Sequence, residues 1–200
     1  MRVYCATSNP GKLREFSHGL KGLVDVDAIP NLGAIPAPKE TGATFEENAV
    51  LKALYYARYC DGLVFAEDSG LEVDSLHGAP GVYSARFAGP DASDVDNNRL
   101  VLEKLRGVQN RGARFVSVIA LAQGEQVLRT FRGEVGGQIL LAPRGENGFG
   151  YDPLFYYPPF GCSFGEAPIE SKMQVSHRGR ALSKMADFLK RRLTHQEPTN

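Results

Sequence analysis

The sequence predicts an α/β fold in which helices flank a mixed β-sheet. Short apolar runs alternate with amphipathic segments of helical period in the first half of the chain, and longer apolar runs joined by turns follow. Early alternation of strands and helices, with a later meander of strands, is typical of this class. No repeat, low-complexity tract or linker interrupts the pattern. We therefore predict a single domain over residues 1–194 and a disordered tail over residues 195–200.

The first half of the chain is predicted to contain three strands and two helices. Pro10 occupies a position favoured at the start of a helix, and Thr44 with Glu47 forms the capping box of a second one. Between these helices, residues 29–42 are rich in proline and glycine, which indicates a loop. The predicted strands lie at residues 3–7, 63–66 and 71–76.

The second half is predicted to contain a helix, a meander of three strands and a C-terminal helix. Ser93 caps the first of these helices, which has acidic residues in its first turn and basic residues in its last, as the helix dipole favours. The turn Gln123-Gly124-Glu125 indicates a β-hairpin. Apolar residues at helical spacing from Leu182 onward predict the last helix. The predicted strands lie at residues 114–122, 126–131 and 134–141.

Charge and cysteine content exclude several classes of function. Lys plus Arg and Asp plus Glu number 23 each, so no overall field would recruit a nucleic-acid polymer or an anionic membrane. Three scattered cysteines argue against a disulfide framework or a zinc site and favour a reducing, cytoplasmic location. We find no signal-peptide pattern and no run approaching about 18 apolar residues. A small charged ligand is therefore expected.

Two adjacent carboxylates are the most informative feature of the chain. Glu67 and Asp68 follow an apolar run and precede Ser69-Gly70, which we interpret as a turn. Neighbouring carboxylates repel each other unless a cation or a proton lies between them. Oxygen ligands of this kind suit Mg²⁺. For this segment alone, a polar hairpin tip is the alternative.

The N-terminal turn has the features of an anion-binding site. Gly11 lets the backbone approach a ligand, the helix N–H groups would point outward, and Lys12 adds a positive charge. The segment lacks the two spaced glycines of a Walker A loop, and an ordinary strand-turn-helix connection is the alternative. The candidate residues are Thr7, Ser8, Asn9, Pro10, Gly11 and Lys12.

Further polar and aromatic residues complete the inventory of a nucleotide site. Glu40 precedes the second helix, on which Asn48 and Lys52 share a face, although a solvated helix surface is the alternative. An aromatic residue in a loop can stack on a planar base, although core packing is the usual explanation. Cations and a histidine could bind phosphates or a base edge, or occupy a helix start. These later candidates are Arg86, Phe149, Gly150, Tyr151, Asp152, Lys172, His177 and Arg178.

On these residues the chain resembles the inosine/xanthosine triphosphate pyrophosphatase family, which hydrolyses non-canonical purine nucleotides. The resemblance covers nearly the whole chain through five ordered blocks, which lie at residues 6–12, 40–49, 67–86, 149–153 and 176–179. It implies an elongated α/β fold whose long sheet separates two lobes around a central nucleotide-binding cleft, and a homodimer. It also implies cleavage of the α–β phosphoanhydride of ITP, dITP or XTP to the monophosphate and pyrophosphate.

The resemblance implies roles for individual residues. Asp68 is implied as the general base, and Glu40 with Glu67 or Asp68 as ligands of Mg²⁺. Contacts on the phosphate side are implied for residues 7–12, Lys52 and Ser69, and Arg86 is a further substrate-binding cation. Contacts with base and ribose are implied for Phe149, Gly150, Tyr151, Asp152, Lys172, His177 and Arg178. The chain departs mildly from the family pattern at Ser8, where many relatives carry Gly, and at Glu67, where many bacterial relatives carry Asp.

Two rival functions stand beside this one. A related pyrophosphatase could act on modified pyrimidine nucleotides, and a nucleotide-sensing module could bind without turnover. The acids Glu40, Glu67 and Asp68 argue against a pure binding module, because acids near a polyanion are unfavourable without a metal.

Overall fold

The chain forms a mixed seven-stranded sheet flanked by helices, which confirms the predicted fold class. The computed structural model describes residues 2–194, and of residues 193 and 194 only the backbone. The predicted disordered tail, residues 195–200, lies outside the described residues. The strands are β1 (Arg2–Cys5), β2 (Asp25–Ala28), β3 (Leu63–Val73), β4 (Gly112–Gln123), β5 (Gln126–Ile139), β6 (Phe155–Tyr157) and β7 (Cys162–Ser163). The helices are α1 (Pro10–Gly19), α2 (Phe45–Tyr56), α3 (Asp94–Lys104), α4 (Ile169–Val175) and α5 (His177–Thr194).

The sheet is parallel at one end and antiparallel at the other. Its strand order is β2-β1-β3-β4-β5-β6-β7. β1 pairs in parallel with β2 and β3, whereas β6 pairs antiparallel with β5 and β7. This arrangement follows from the connections, since α1 and α2 separate the parallel strands and the later strands are joined without an intervening α-helix.

Contacts between residues divide the chain into two compact units. The first contains residues up to 68, residues 118–133 and residues from 178 onward, and the second contains residues 69–117 and 134–177. The boundaries of segment 118–133 fall inside the long strands β4 and β5, and the other two boundaries fall inside β3 and at the start of α5. The prediction of a single domain over residues 1–194 stays a prediction.

The first unit is built around β1, the first half of β3 and helices that pack on them. Val3 and Phe65 are fully buried, and Phe16 of α1 meets Phe65 edge-to-face with ring centroids 5.1 Å apart. The predicted capping box of α2 is present, because Thr44 accepts from the Glu47 N–H and the Glu47 carboxylate accepts from the Thr44 N–H. Local capping and a buried apolar face therefore fix both helices.

The second unit has its own core, made of apolar residues from β3, α3, β4, β5 and the segment after β5. Ser93 and Asp96 form a capping box at the start of α3, as the sequence predicts for Ser93. Phe115 and Phe155 are buried with ring centroids 4.5 Å apart. Fully buried members of this core include Leu71, Val73, Val101, Leu154 and Phe164.

Several predicted boundaries differ from the structure. β3 is one strand, not two strands joined by a turn, and β5 continues to Ile139, so the separate strand over residues 134–141 is wrong. The helix α5 begins at His177, so His177 and Arg178 form its first turn and do not precede it. The edge strand β2 and the short helix α4 are absent from the prediction. Within residues 2–194, no helix is long and apolar enough to cross a membrane.

The pair Ser69-Gly70 is typical of a turn in sequence, yet it lies within β3. Close packing at Gly70 explains why a glycine is present there. A Cβ added at Gly70 would meet Ser84 Oγ at 2.3 Å and the Gly81 carbonyl oxygen at 2.5 Å. Ser84 Oγ also accepts from the Leu71 N–H at 2.9 Å. The glycine therefore serves close approach of another segment to β3, and not a reversal of the chain.

Candidate active site

The turn after β1 is closed by Asn9. The Asn9 side-chain oxygen accepts from the N–H groups of Gly11 at 2.9 Å and Lys12 at 3.1 Å, so Asn9 caps α1. Thr7 Oγ1 accepts from the Asn9 N–H at 3.2 Å. Two of the N–H groups predicted to point outward are thus bonded to Asn9 in this structure. Ser8, Asn9 and Pro10 are exposed.

A buried cluster of four charges stands beside this turn in the first unit. Arg178 donates from Nε and Nη2 to the two carboxylate oxygens of Glu67, at 2.8 and 3.1 Å, and from Nη1 to Glu15 at 2.5 Å. Lys12 Nζ lies 3.0 Å from Glu67 Oε2. Arg178, Glu67 and Glu15 are all at most 5% exposed. Glu15, Glu67 and Arg178 therefore neutralise one another away from water, and the partly exposed Lys12 adds a second positive charge.

Electrostatics in this cluster keep the cation charged and the nearby thiol neutral. Burial alone lowers the pKa of Arg178, but the charges of Glu67 and Glu15 outweigh burial and raise it. Burial, and next the charge of Glu67, raise the pKa of the Cys5 thiol far above its ordinary value. A protonated, buried thiol is a poor nucleophile, so Cys5 has no role in bond cleavage.

A second cluster surrounds Asp68, also in the first unit. Lys52 Nζ lies 2.7 Å from Asp68 Oδ1 and 2.9 Å from Glu40 Oε1, and Asn48 Nδ2 donates to Asp68 Oδ2 at 3.3 Å. α2 supplies both Asn48 and Lys52, four residues apart on one face as predicted. Asn48 is also bonded through its side-chain oxygen to the Gly42 N–H. Its fixed amide therefore holds the orientation of the Asp68 carboxylate.

Burial tunes the acid and base of this second cluster. Burial raises the pKa of Asp68, and the charge of Lys52 opposes that shift without cancelling it. Burial lowers the pKa of Lys52, but the charges of Asp68 and Glu40 outweigh burial and raise it. Lys52 is therefore a stable cation beside a carboxylate that binds protons more readily than an exposed aspartate does.

The neighbouring acids Glu67 and Asp68 form ion pairs with different cations. They are consecutive residues of β3, and successive side chains of a strand point to opposite faces. Glu67 pairs with Lys12 and Arg178, and Asp68 pairs with Lys52. The prediction that a metal cation lies between them stays a prediction.

The donor set near Asp68 fits a hard divalent cation. Among residues 2–194, no group of three or more His, Cys, Asp or Glu side chains could hold a metal ion by itself. Glu40 and Asp68 nevertheless converge on one positive charge, the Lys52 ammonium. Mg²⁺ commonly takes only one or two protein carboxylates and completes its shell with water and phosphate oxygens. Both oxygens of Glu67, in contrast, accept from Arg178.

The second unit contains the loop at residues 148–152, which includes the predicted base-binding residues 149–152. Asp152 Oδ2 accepts from the Phe149 N–H at 2.9 Å and from Lys172 Nζ at 2.5 Å, and both charged side chains are buried. Lys172 Nζ lies 5.3 Å from the centroid of the Phe149 ring. Tyr151 is buried and donates from its hydroxyl to the Ser84 carbonyl oxygen at 2.8 Å. Asp152 and Lys172 therefore support the loop from within.

Other predicted residues of the second unit lie in varied surroundings. His177 is 3% exposed and stacks on Phe115 at 4.6 Å between ring centroids, a position typical of core packing. The Arg86 guanidinium lies 5.5 Å from the centroid of the Tyr83 ring, which is largely exposed. Ser69 is partly exposed on β3, next to Asp68 in the chain.

The structure sorts the predicted residues into the two units. The first unit brings together Lys12, Glu40, Lys52, Glu67, Asp68 and Arg178. The second brings together Phe149, Gly150, Tyr151, Asp152 and Lys172. Glu15 is absent from the predicted set, although its position three residues after Lys12 on α1 would have indicated a shared face.

Comparison with known protein families shows the family to which the chain belongs. The model of the Ham1 family matches residues 3–188. The chain belongs to the Ham1 family. Two Ham1 proteins of known structure are similar to this chain. The Staphylococcus aureus Ham1 protein is 40% identical with a TM-score of 0.85, over 96% of this chain and 100% of that one. A HAM1 protein from Coxiella burnetii is 37% identical with a TM-score of 0.86, over 96% and 99%.

Curated relatives in the Ham1 family carry a functional name. A protein named dITP/XTP pyrophosphatase from an Exiguobacterium species is 51% identical over 92% of this chain and 95% of its own length. A dITP/XTP pyrophosphatase from Thermus thermophilus is 48% identical over 95% of this chain and 92% of its own length. The similarity therefore spans both units.

Proposed function

We propose that this chain is a Mg²⁺-dependent pyrophosphatase of non-canonical purine nucleoside triphosphates. It would hydrolyse ITP, dITP and XTP at the α–β phosphoanhydride, release the nucleoside monophosphate and pyrophosphate, and so remove damaged nucleotides from the precursor pool. The convergence of Glu40 and Asp68 on one cation, in a chain about half identical to dITP/XTP pyrophosphatases, carries the proposal.

Asp68 is the residue best suited to activate water. Its raised pKa makes it a stronger base than an exposed aspartate, and Asn48 with Lys52 fixes its direction. In the reaction we propose, Asp68 takes a proton from the water that attacks the α-phosphorus, and pyrophosphate leaves. No covalent intermediate is needed, so serine and cysteine side chains take no part.

Cations of the first unit would hold the phosphates. Lys12 and Lys52 each pair with an acid that is buried or nearly so, and a triphosphate would compete with these acids for the two ammonium groups. Glu40 and Asp68 would hold Mg²⁺, which neutralises the charge on the phosphates and the leaving pyrophosphate when it is bound. We assign Glu67 to orienting Lys12, because its oxygens are engaged by Arg178 and Lys12.

The loop at residues 148–152 would bind the base. Phe149 is partly exposed and lies beside the Lys172 ammonium, so a purine ring could stack on it. Hydrogen-bond donors directed at a 6-oxo group would reject adenine, because the adenine amino group would leave those donors unpaired. Participation of His177 and Arg178 in this readout remains part of the proposal.

A pyrophosphate-release assay over a nucleotide panel tests the proposal. The panel contains ITP, dITP, XTP, ATP, GTP and modified pyrimidine triphosphates, each with Mg²⁺ and with EDTA. We expect turnover of the first three with Mg²⁺ and negligible turnover in EDTA. Preference for a modified pyrimidine, nucleotide binding without turnover, or full activity in EDTA would each contradict a separate part of the proposal.

We also propose that the chain forms a homodimer and acts in the cytoplasm. Sedimentation of the purified chain would give the oligomeric state, and cell fractionation its location. A monomer with full activity would show that assembly is not needed for turnover.

A further inference from the structure

Helix α3 holds the loop that carries Arg86. Asn97 is 2% exposed, its Oδ1 accepts from the Ala88 N–H at 2.8 Å, and its Nδ2 donates to the Ala85 carbonyl oxygen at 3.2 Å. One buried amide thus satisfies a backbone donor and a backbone acceptor on either side of Arg86.

Two other residues of α3, Asp94 and Asn98, hold the loop at residues 148–152. The Gly150 N–H donates to Asp94 Oδ2 at 2.7 Å, and Asn98 Nδ2 donates to the Gly150 carbonyl oxygen at 2.9 Å. Asp94 and Asn98 are four residues apart and share a face of α3. Both backbone polar groups of Gly150 are therefore bonded to one helix.

These two hydrogen bonds fix the peptide groups on both sides of Gly150. The N–H belongs to the peptide that joins Phe149 to Gly150, and the carbonyl to the peptide that joins Gly150 to Tyr151. Gly150 has φ of 61°, a left-handed conformation that glycine adopts readily. The contacts with α3, together with the bond from the Phe149 N–H to Asp152, therefore restrain the direction in which the Phe149 ring projects.

The buried position of Asn98 has a free-energy cost. It is only 8% exposed, and among the described residues its Oδ1 has no hydrogen-bond partner. A buried polar atom without a partner is unfavourable, so an apolar residue at this helix position would suit the core better. The hydrogen bond from its amide nitrogen to Gly150 is the interaction that an apolar residue could not make.

We propose that Asp94 and Asn98 are positioning residues for base recognition, acting on the substrate through Gly150 and Phe149. The inference rests on the proposed function, in which the loop at residues 148–152 binds the purine. Neither residue needs to touch the nucleotide. Because the two bonds act on the base-stacking ring and not on Asp68 or the phosphate-binding lysines, their loss should raise KM for ITP more than it lowers kcat.

The variants Asp94→Ala and Asn98→Ala test this inference, and three others serve as controls. Asp94→Asn keeps an oxygen that can accept from Gly150 and should restore most of the loss. Asn97→Ala removes another buried amide from the same helix but acts on the loop around Arg86. Arg99→Ala removes an exposed α3 side chain whose guanidinium pairs with Asp96.

Hydrogen exchange of the full chain without nucleotide gives a readout independent of activity. We expect amides of residues 149–152 to exchange about tenfold faster in Asp94→Ala and Asn98→Ala, and at the wild-type rate in Arg99→Ala and Asn97→Ala. Unchanged exchange in both alanine variants would overturn the positioning role. Faster exchange throughout the second unit would show that α3 merely stabilises the fold, and would overturn it equally.

Kinetics with ITP and ATP give the second readout. We expect KM for ITP to rise about tenfold in Asp94→Ala and Asn98→Ala, with kcat within about threefold of wild type and a smaller ITP-to-ATP ratio of kcat/KM. Asn97→Ala should leave that ratio unchanged. A faster-exchanging loop with unaltered KM and ratio would overturn base positioning. If the wild type itself releases no pyrophosphate from ITP, the proposed function fails, and hydrogen exchange still decides whether α3 fixes the loop.

Discussion

At the scale of single residues, charge pairing determines what each acid can do. Glu67 and Asp68 are neighbours in the chain. Glu67 forms an ion pair with Arg178, whereas Asp68 is oriented by Lys52 and Asn48. Burial raises the pKa of Asp68, and Asp68 shares the Lys52 cation with Glu40, whereas both oxygens of Glu67 accept from Arg178. The two neighbouring carboxylates therefore have different surroundings, and we propose a reactive role for Asp68 alone.

Replacement of Asp68 by Asn should abolish most of the activity. The amide keeps the shape of the side chain but can neither accept a proton from water nor provide a charged oxygen. We expect kcat for ITP to fall by far more than tenfold, the equivalent of about 1.4 kcal/mol, with nucleotide binding largely kept. A variant that retains more than about a tenth of wild-type kcat would require another base. Glu72→Gln, a change at a carboxylate on the same strand, controls for loss of charge.

Replacement of Arg178 by Ala should destabilise the fold strongly. The change would leave Glu67 and Glu15 buried without their main cation, and breaking a buried ion pair costs about 3–5 kcal/mol. Urea unfolding of the wild type and the variant measures this loss. Arg180→Ala, an exposed site on the same helix, should change stability by less than about 0.5 kcal/mol.

The same variant bears on base recognition. If Arg178 also reads the 6-oxo group, the variant should lose ITP-over-ATP preference as well as stability. If its role is limited to the buried cluster, the preference should persist in whatever protein remains folded. An unfolding free energy equal to that of the wild type would contradict the cluster role.

At the scale of elements, capping fixes where helices begin. The sequence predicts the starts of α1, α2 and α3 because their capping side chains lie within three residues of the backbone groups they bond. The start of α5 is different, since Arg178 in its first turn is held by residues of α1 and β3. Contacts of this kind with distant residues cannot be predicted from local pattern.

The capping box of α3 should make stability depend on pH. Hydrogen bonds from the Ser93 side chain, and next from its backbone, lower the pKa of Asp96. A lowered pKa stabilises the fold above the pKa of the unfolded state, about 3.9, and this contribution is lost as pH falls through the lower folded value. The melting temperature of Asp96→Asn should therefore lie below wild type at pH 7, and the two should converge as pH falls below the lowered folded pKa of Asp96. Asp91→Asn controls for charge, and an equal gap at both pH values would contradict the box.

At the scale of the whole molecule, ligand and metal should stabilise the fold together. In Asp68→Glu, which keeps a carboxylate but misplaces it, slow turnover would allow binding of intact ITP to be measured. Ligand at about 100 times its Kd stabilises a protein by about 2.7 kcal/mol. We expect ITP with Mg²⁺ to raise the melting temperature clearly, and ITP with EDTA or ATP with Mg²⁺ to raise it less. Equal shifts under all three conditions would contradict both metal use and base selection.

The sequence by itself determined the fold class, the capped helices and the β4–β5 hairpin. These features depend on residues close together in sequence, where periodicity, capping and turn chemistry act directly. Ordered blocks of residues also led to the family that the comparison then showed.

Only the tertiary structure decided which charges meet. Arg178 and Glu67 are 111 residues apart, and no local pattern predicts their pairing. The continuity of β3 was decided in the same way, because cations from α1, α2 and α5 make two buried acids tolerable inside a strand. Asp94 and Asn98 reach Gly150 across more than 50 residues. The physical reason is common to all three: a buried polar group is stable only with its partner, and folding alone brings the partner within reach.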